Sequence, residues 1–370
     1  MTAARPVTAT REHGSVRLAH QRPLRIGRAS WLLRPRGLVV TVTGFALLLL
    51  LIALNLRLGD IPMDLAEVVR TVLGGGTGGG RLVIMELRLP RALTGALVGA
   101  ALGISGAITQ AIARNPLASP DILGVTSGAS VTVVALTVAG GAAYGGASGT
   151  LASVGIPVAA LVGGLAGALL VYGLAWRRGL DGYRLVLVGV GIVAVFTNLK
   201  YWLLTAGDVN DATRAMVWIS GSLHARGFEH VVPVAAALAV LVPVTLLGTR
   251  VLGALRLGDD TVRGLGVRLD LARASLLLAG VLLASVATAA AGPIAFVALA
   301  SPQIALRLAG VAQPPLVVSA VTGAVLVTGA DLVARTLTPV ELPVGVVTAV
   351  LGAPYLIYLL VRARRTKGGI

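Results

Sequence analysis

The stretch Glu86-Leu-Arg-Leu-Pro-Arg91, the uncharged run from Ala92 to Ile112, and Asn115-Pro-Leu-Ala-Ser-Pro-Asp-Ile-Leu-Gly-Val-Thr-Ser-Gly128 decide the fold of this chain. Arg88 and Arg91 bracket a proline at one end, and Arg114 stands at the other. Between them Gly95, Gly99 and Gly103 recur every fourth residue, so they share one side of a helix and admit a second helix at close range. A helix with so small a face is expected to be surrounded by protein rather than lipid. Its length and lack of charge make it a membrane span.

The rest of the chain agrees. Of 370 residues, 56% are hydrophobic and 12% charged, about half the charged share of a soluble domain. The reading is an all-α polytopic integral membrane protein. The net charge of +16 is assigned to topology, since arginine collects in cytoplasmic loops, and not to nucleic acid. With no cysteine there is no disulfide framework and no thiolate metal site. The four histidines, His13, His20, His224 and His230, are scattered in segments between spans and suggest no metal cluster.

Ten apolar segments follow in order: 37–56, 92–112, 122–141, 154–175, 185–204, 231–247, 276–291, 294–308, 316–334 and 344–361. Residues 1–36 form a basic tail with eight arginines and one acid, too long for the basic region of a cleaved signal peptide. The tail is read as cytoplasmic, ahead of a single transmembrane domain over 37–365. An even count of spans places both termini on the cytoplasmic side. That topology puts 22 of the 31 lysines and arginines inside and 9 outside, the bias that the positive-inside rule requires. Leu117-Ala-Ser-Pro-Asp-Ile and Leu299-Ala-Ser-Pro-Gln-Ile lie half a chain apart. They are a weak hint of the inverted repeats found in transporters.

Chemistry-bearing residues are sparse. No Gly-x-x-x-x-Gly-Lys-Ser/Thr loop occurs, so the chain holds no such nucleotide site of its own. An intramembrane enzyme would need a catalytic pair, and none is legible. Asp331 is the one carboxylate well inside a span, and Arg335 four residues on can pair with it along one helix face. A proton-coupled secondary transporter built on Asp331 is therefore the alternative from another class. The segment 255–270 is too long for a plain hairpin. Leu257, Val262 and Leu265 alternate with Asp259, Asp260 and Arg263, which predicts a short amphipathic helix ended at Gly264 or Gly266. Such a helix either rests on lipid headgroups or docks a cytoplasmic partner.

Taken together, several motifs resemble the FecCD family of permease subunits, from type II ATP-binding-cassette importers of iron-siderophores, haem and cobalamin. They are Arg88-Leu-Pro-Arg91, Gly99-Ala-Ala-Leu-Gly-Ile-Ser-Gly106, the Asn115–Gly128 stretch and Leu257-Gly-Asp-Asp-Thr-Val-Arg-Gly-Leu-Gly266. Ala291-Gly-Pro-Ile-Ala-Phe-Val297, Ala330-Asp-Leu-Val-Ala-Arg335 and Glu341-Leu-Pro-Val-Gly-Val-Val-Thr-Ala349 follow in family order. The likeness covers about 40–365 and leaves the basic tail outside. Within the family, Trp218-Ile-Ser-Gly-Ser-Leu-His-Ala-Arg-Gly-Phe-Glu-His230 and Ser301-Pro-Gln303 are most similar to permeases for catecholates such as ferric enterobactin. Cobalamin or haem is the alternative cargo.

The resemblance implies a non-enzymatic membrane subunit of the cytoplasmic membrane. It pairs with a second, identical or related, permease, with two cytoplasmic ATPase subunits that use the ATP, and with an extracytoplasmic binding protein that delivers the ferric siderophore. The chain itself binds no cofactor and no metal, because the siderophore supplies the iron ligands. By position in the motifs, Arg88, Arg91 and Arg335 would dock the binding protein. Gly258, Asp259, Asp260, Arg263, Gly264 and Gly266 would couple to the ATPase, and Asn115, Pro116 and Leu117 would narrow the cytoplasmic mouth. The second gating turn is not carried over, since Asp181-Gly-Tyr183 departs from the small hydroxyl pattern. A route along the fifth span and its outer extension, near Thr197, Asn198 and Trp218, is the path considered for cargo.

Overall fold

A computed structural model describes residues 23–26, 29–32, 35–59, 61–76, 78–140, 154–177, 182–255, 258–264, 266, 268–337 and 340–367. Among these residues ten apolar helices overlap the ten expected segments. They are α1 (Pro35–Arg57), α3 (Gly78–Ala113), α4 (Val125–Gly140), α5 (Ile156–Ala175), α6 (Gly182–Ala206) and α8 (Phe228–Leu247), then α11 (Leu269–Ala291), α12 (Val297–Ala309), α13 (Leu316–Thr336) and α14 (Val344–Lys367). Among the described residues seven of these are long and apolar enough to cross a membrane unaided, while α4, α12 and α14 have shorter apolar stretches. Four short helices join them: α2 (Leu65–Val72), α7 (Val209–Ile219), α9 (Thr249–Ala254) and α10 (Asp259–Gly264).

The polar tail is less featureless than its composition suggests. Strands β1 (Pro23–Ile26) and β2 (Ala29–Leu32) pair antiparallel with Leu24 opposite Trp31, just ahead of α1. Residues 1–22 of the tail lie outside the described residues.

The helix opened by Arg88 and Arg91 is central. Across its most apolar stretch α3 is 78% buried, against 6% for α1 and 11% for α6. In a bilayer, burial against protein needs close backbone approach rather than a hydrophobic drive, and glycine provides it here. Gly99 and Gly103 meet the backbone of α13 at Gly323 and Ser319, while Gly95 faces Leu223 and Val327. Gly106 abuts the Ala298 carbonyl of α12. That carbonyl lacks its intrahelical donor, because residue 302 is proline. A second glycine seam, Gly124 and Gly128 against Gly167 and Gly163, closes α4 onto α5.

Two stretches singled out in the sequence take these places in the fold. Leu117–Ile122 forms a turn leading into the 3-10 segment Pro120–Leu123, whereas Leu299–Ile304 lies inside α12. The two hexapeptides are alike in sequence and differ in local conformation. Trp218 is 8% exposed, packed with Ala129, Val133, Ala160 and Ala289. It belongs to a packed wall, while Asn198 is exposed on α6.

Candidate functional site

The start of α3 is irregular: Leu82–Arg88 winds as a π-helix before the α-helix begins at Leu89. An extra residue per turn re-aims the side chains that follow, and Arg88 and Arg91 come to line the same recess. Arg88 donates from Nη1 to the carbonyls of Leu56 (2.8 Å) and Arg57 (3.2 Å), and from Nη2 to Ile61 O (2.6 Å). The carbonyls at the end of α1 have no helical partner, and a cation there answers both their hydrogen bonds and the helix dipole.

Arg91 spans two acids. Its Nε and Nη2 donate to Asp331 at 3.0 and 2.7 Å, a forked pair between α3 and α13. Its Nη2 also contacts Glu341. Arg91 is 8% exposed and Asp331 1%, so each needs the other: a buried charge without a partner is expensive. The expected Asp331–Arg335 pair is present but secondary, with Nε 3.6 Å from Oδ2. Arg335 turns its Nη2 to Asn55, whose amide also donates to Thr328 O at 3.2 Å. Asp331 is therefore a bridge between helices more than a pair along one.

Arg88, Arg91 and Arg335 thus line one recess of about 660 Å³, with Arg226, His224, Glu86, Glu229 and Glu341 also on its walls. His224 Nδ1 lies 2.9 Å from Glu341 Oε2. Burial pushes the Glu341 carboxyl up, but its contacts with Arg91 and His224 outweigh that and hold it below the usual carboxylate range. His230 Nε2 is 2.9 Å from Arg226 Nη1. A guanidinium only donates, so Nε2 accepts and the proton sits on Nδ1, 3.2 Å from Glu229. Of the histidines that look scattered in the sequence, His224 lines this recess and His230 stands behind its wall against Arg226 and Glu229, and Glu341 and His224 are the site residues that sequence reasoning missed. Their signal was weak: Glu341 opens a recognisable motif, but nothing in the spacing pairs it with Arg91.

The other end of α3 carries the second group. The helix stops at Arg114, which adopts a left-handed backbone (φ 49°), and Asn115 Oδ1 accepts from Leu117 N at 2.9 Å. The turn is a side-chain-closed one of the kind asparagine favours. Pro116 is exposed, with Asn115 and Leu117 half-buried. Arg114 Nη2 donates to Leu255 O at 2.7 Å, tying this turn to the segment that contains α10. The predicted short helix is Asp259–Gly264, entered after Gly258 (φ 96°) and left at Gly266 (φ 76°), both in the glycine-favouring region. Val262 is fully buried with Leu252, Leu255, Leu269 and Ile112. The segment is anchored to the body while Arg263 lies on its exposed side. Leu257 and Leu265 lie outside the described residues, and the side chains of Asp259 and Asp260 are not described.

Between the ends, α3 makes one polar crossing that the sequence did not suggest. Gln303 Nε2 donates to Gln110 Oε1 at 2.7 Å, and Gln110 Nε2 donates to Leu299 O at 3.0 Å.

A charged recess and the Asn115–Leu117 turn thus lie at opposite ends of one glycine-lined span, and sequence comparison says what kind of protein carries them. The profile of the FecCD transport family matches residues 47–362.

The chain belongs to the FecCD transport family.

It is 40% identical over 315 residues to the ferric enterobactin transport system permease protein FepG of Escherichia coli (strain K12), spanning 85% of this chain and 92% of that protein. It is 39% identical over 330 residues to the iron(3+)-hydroxamate import system permease protein FhuG of Bacillus subtilis (strain 168), spanning 89% and 98%. Among solved structures, an inward-facing metal-chelate type ABC transporter superposes with a TM-score of 0.75 at 25% identity, covering 88% of this chain and 99% of that one. This FecCD member is a multi-pass protein of the cytoplasmic membrane and a permease subunit of the ABC-importer kind.

Proposed function

We propose that this chain forms the membrane passage of an importer that carries a ferric siderophore of the catecholate class into the cell. Ten spans with both termini cytoplasmic place the Arg88–Arg91–Arg335 recess outside and the Asn115–Leu117 turn and α10 inside. A binding protein presents the chelate at the recess through acidic residues on its lobes. Rim charges of this kind set encounter rate and register more than affinity. Two ATPase subunits engage α10 and hydrolyse the ATP, and Asn115, Pro116 and Leu117 narrow the exit. A second permease, identical or related, completes the passage, the basic tail stays in the cytoplasm, and the chelate brings its own iron ligands.

One observation carries the reading. A single span, α3, begins at the charged recess and ends at Arg114, which is bonded to the segment bearing α10. An event at the delivery face can therefore reach the ATPase face through one rigid element. The catecholate assignment draws on the Trp218–His230 and Ser301–Gln303 stretches; overall identity is nearly equal to a ferric enterobactin permease (40%) and a ferric hydroxamate permease (39%), so the cargo comparison below decides it.

The test is uptake into proteoliposomes holding the full transporter with ATP inside and the binding protein outside, supplied in turn with labelled ferric enterobactin, a ferric hydroxamate, ferric citrate and cyanocobalamin. ATP-dependent accumulation of the catecholate above the others is expected. Accumulation of cyanocobalamin alone would overturn the cargo. Uptake that persists without the ATPase and collapses with an uncoupler would overturn the class.

A further inference from the structure

The recess proposed to receive an acidic partner is not positive as it stands. Its walls carry four arginines against three glutamates, and Asp331 behind Arg91 brings the local count to zero. A neutral recess exerts little pull on an acidic lobe. Arg91 is also already committed, to Asp331 on its buried side and Glu341 on its open side.

These two acids are held differently. Asp331 has 2% of its side chain exposed and receives both forks of Arg91 with Arg335 nearby. Glu341 has 34% of its side chain exposed, lies beyond the end of α13, and is held by Arg91 and by His224, which is itself 69% exposed. Asp331 cannot leave without stranding a buried guanidinium. Glu341 can rotate into water and exchange an ion pair for hydration.

We propose that Glu341 is an internal stand-in for the partner's carboxylate: it occupies the open side of Arg91 in the free permease and is displaced when the binding protein docks. This rests on the docking role given to the recess above. Asp331 keeps Arg91 oriented throughout, so the incoming carboxylate meets a guanidinium already aimed at it. Displacement adds one positive charge to the walls at the moment of contact. In the free state the recess is closed to stray anions, because its strongest open donor is satisfied.

The experiment measures association of the full-length permease in nanodiscs with the binding protein that restores uptake in the proteoliposomes above. Glu341→Gln removes the competing charge and retains the shape. Its association rate is expected to rise about threefold at low salt, with a steeper decline as salt is added. His224→Ala frees Glu341 from its second anchor and is expected to act in the same direction by a smaller factor. The paired exchange Arg91→Met with Asp331→Leu removes the docking cation together with its buried carboxylate partner, leaves Arg335 its hydrogen bonds to Asn55, and its melting temperature reports whether it is folded. If that folded pair loses docking while Glu341→Gln is unchanged, the stand-in role falls and the docking role stands. Weaker docking by Glu341→Gln would make Glu341 a direct contact and overturn the proposal. If the folded pair docks as well as the parent, both readings fall.

Discussion

Gly99→Ala is the sharpest probe of how α3 sits in the bundle. A methyl at residue 99 would lie 2.6 Å from the Gly323 carbonyl carbon and 2.8 Å from Ala324 Cα, and closer still to Gly323 O. Carbon atoms in contact prefer about 3.5–4.0 Å, so α13 must retreat by roughly 0.8 Å. Three of the obstructing atoms are backbone, which no rotamer change can clear. Overpacking of this kind costs about 3 kcal/mol, while alanine gains about 1 kcal/mol over glycine within a helix. The net expectation is a loss of about 2 kcal/mol. Gly173→Ala is the control, since nothing lies within 4 Å of a methyl there. It keeps the propensity gain alone, so the two variants should differ by about 3 kcal/mol. Thermal unfolding in detergent, followed by tryptophan fluorescence, should place Gly99→Ala several degrees below Gly173→Ala. If Gly99→Ala melts with the control or above it, the close approach of α3 and α13 is not what holds the span in place.

Asp331→Ala leaves the buried Arg91 with Glu341 as its remaining carboxylate, and thermal unfolding should register a loss of about 3 kcal/mol or more. The Arg91→Met, Asp331→Leu pair should recover most of it. Gln303→Leu leaves Gln110 Oε1 without its donor and should cost about 1–2 kcal/mol; adding Gln110→Leu should return part, as read by melting temperature. The folded-state pKa of Glu341 is depressed below the usual glutamate value of 4.5 by Arg91 and His224, which outweigh its burial, so its contribution is complete above that pH and fades as pH falls through the folded value. Stability measured from pH 6 downward should show this acid-side loss in the parent and less of it in Glu341→Gln.

How much was legible beforehand depended on the kind of signal. Span boundaries were readable because an unsatisfied or charged group in hydrocarbon is heavily penalised, and composition must therefore change sharply at each membrane face. The seven-to-eight boundary shows it: a break was expected after Ala291, and α11 ends there. The glycine face of α3 was equally plain, because the four-residue repeat is local. The partner of that face was not. Nothing in the sequence says that Gly99 meets Gly323 rather than another small residue, and the π-helical turn at Leu82–Arg88 has no compositional mark.

The site divides along the same line. Arg88, Arg91 and Arg335 were identifiable as charges at span ends, and Asp331 as a rare acid within one. Their pairing was mis-weighted, since Arg335 is four residues from Asp331 while Arg91 is 240 residues away and nearer in space. A pattern rule sees the near neighbour in sequence and has no access to the far one.

By itself, then, the sequence determined that this is a multi-span helical membrane protein, where its apolar segments lie, and, through its motifs, which family it resembles. All of these follow from local composition and order. The tertiary structure alone decided that the charges at the recess are already spoken for, that Glu341 and His224 complete them, and that Arg114 reaches Leu255. Those contacts join residues distant in the chain, and their energies depend on burial and geometry that exist only once the helices have packed.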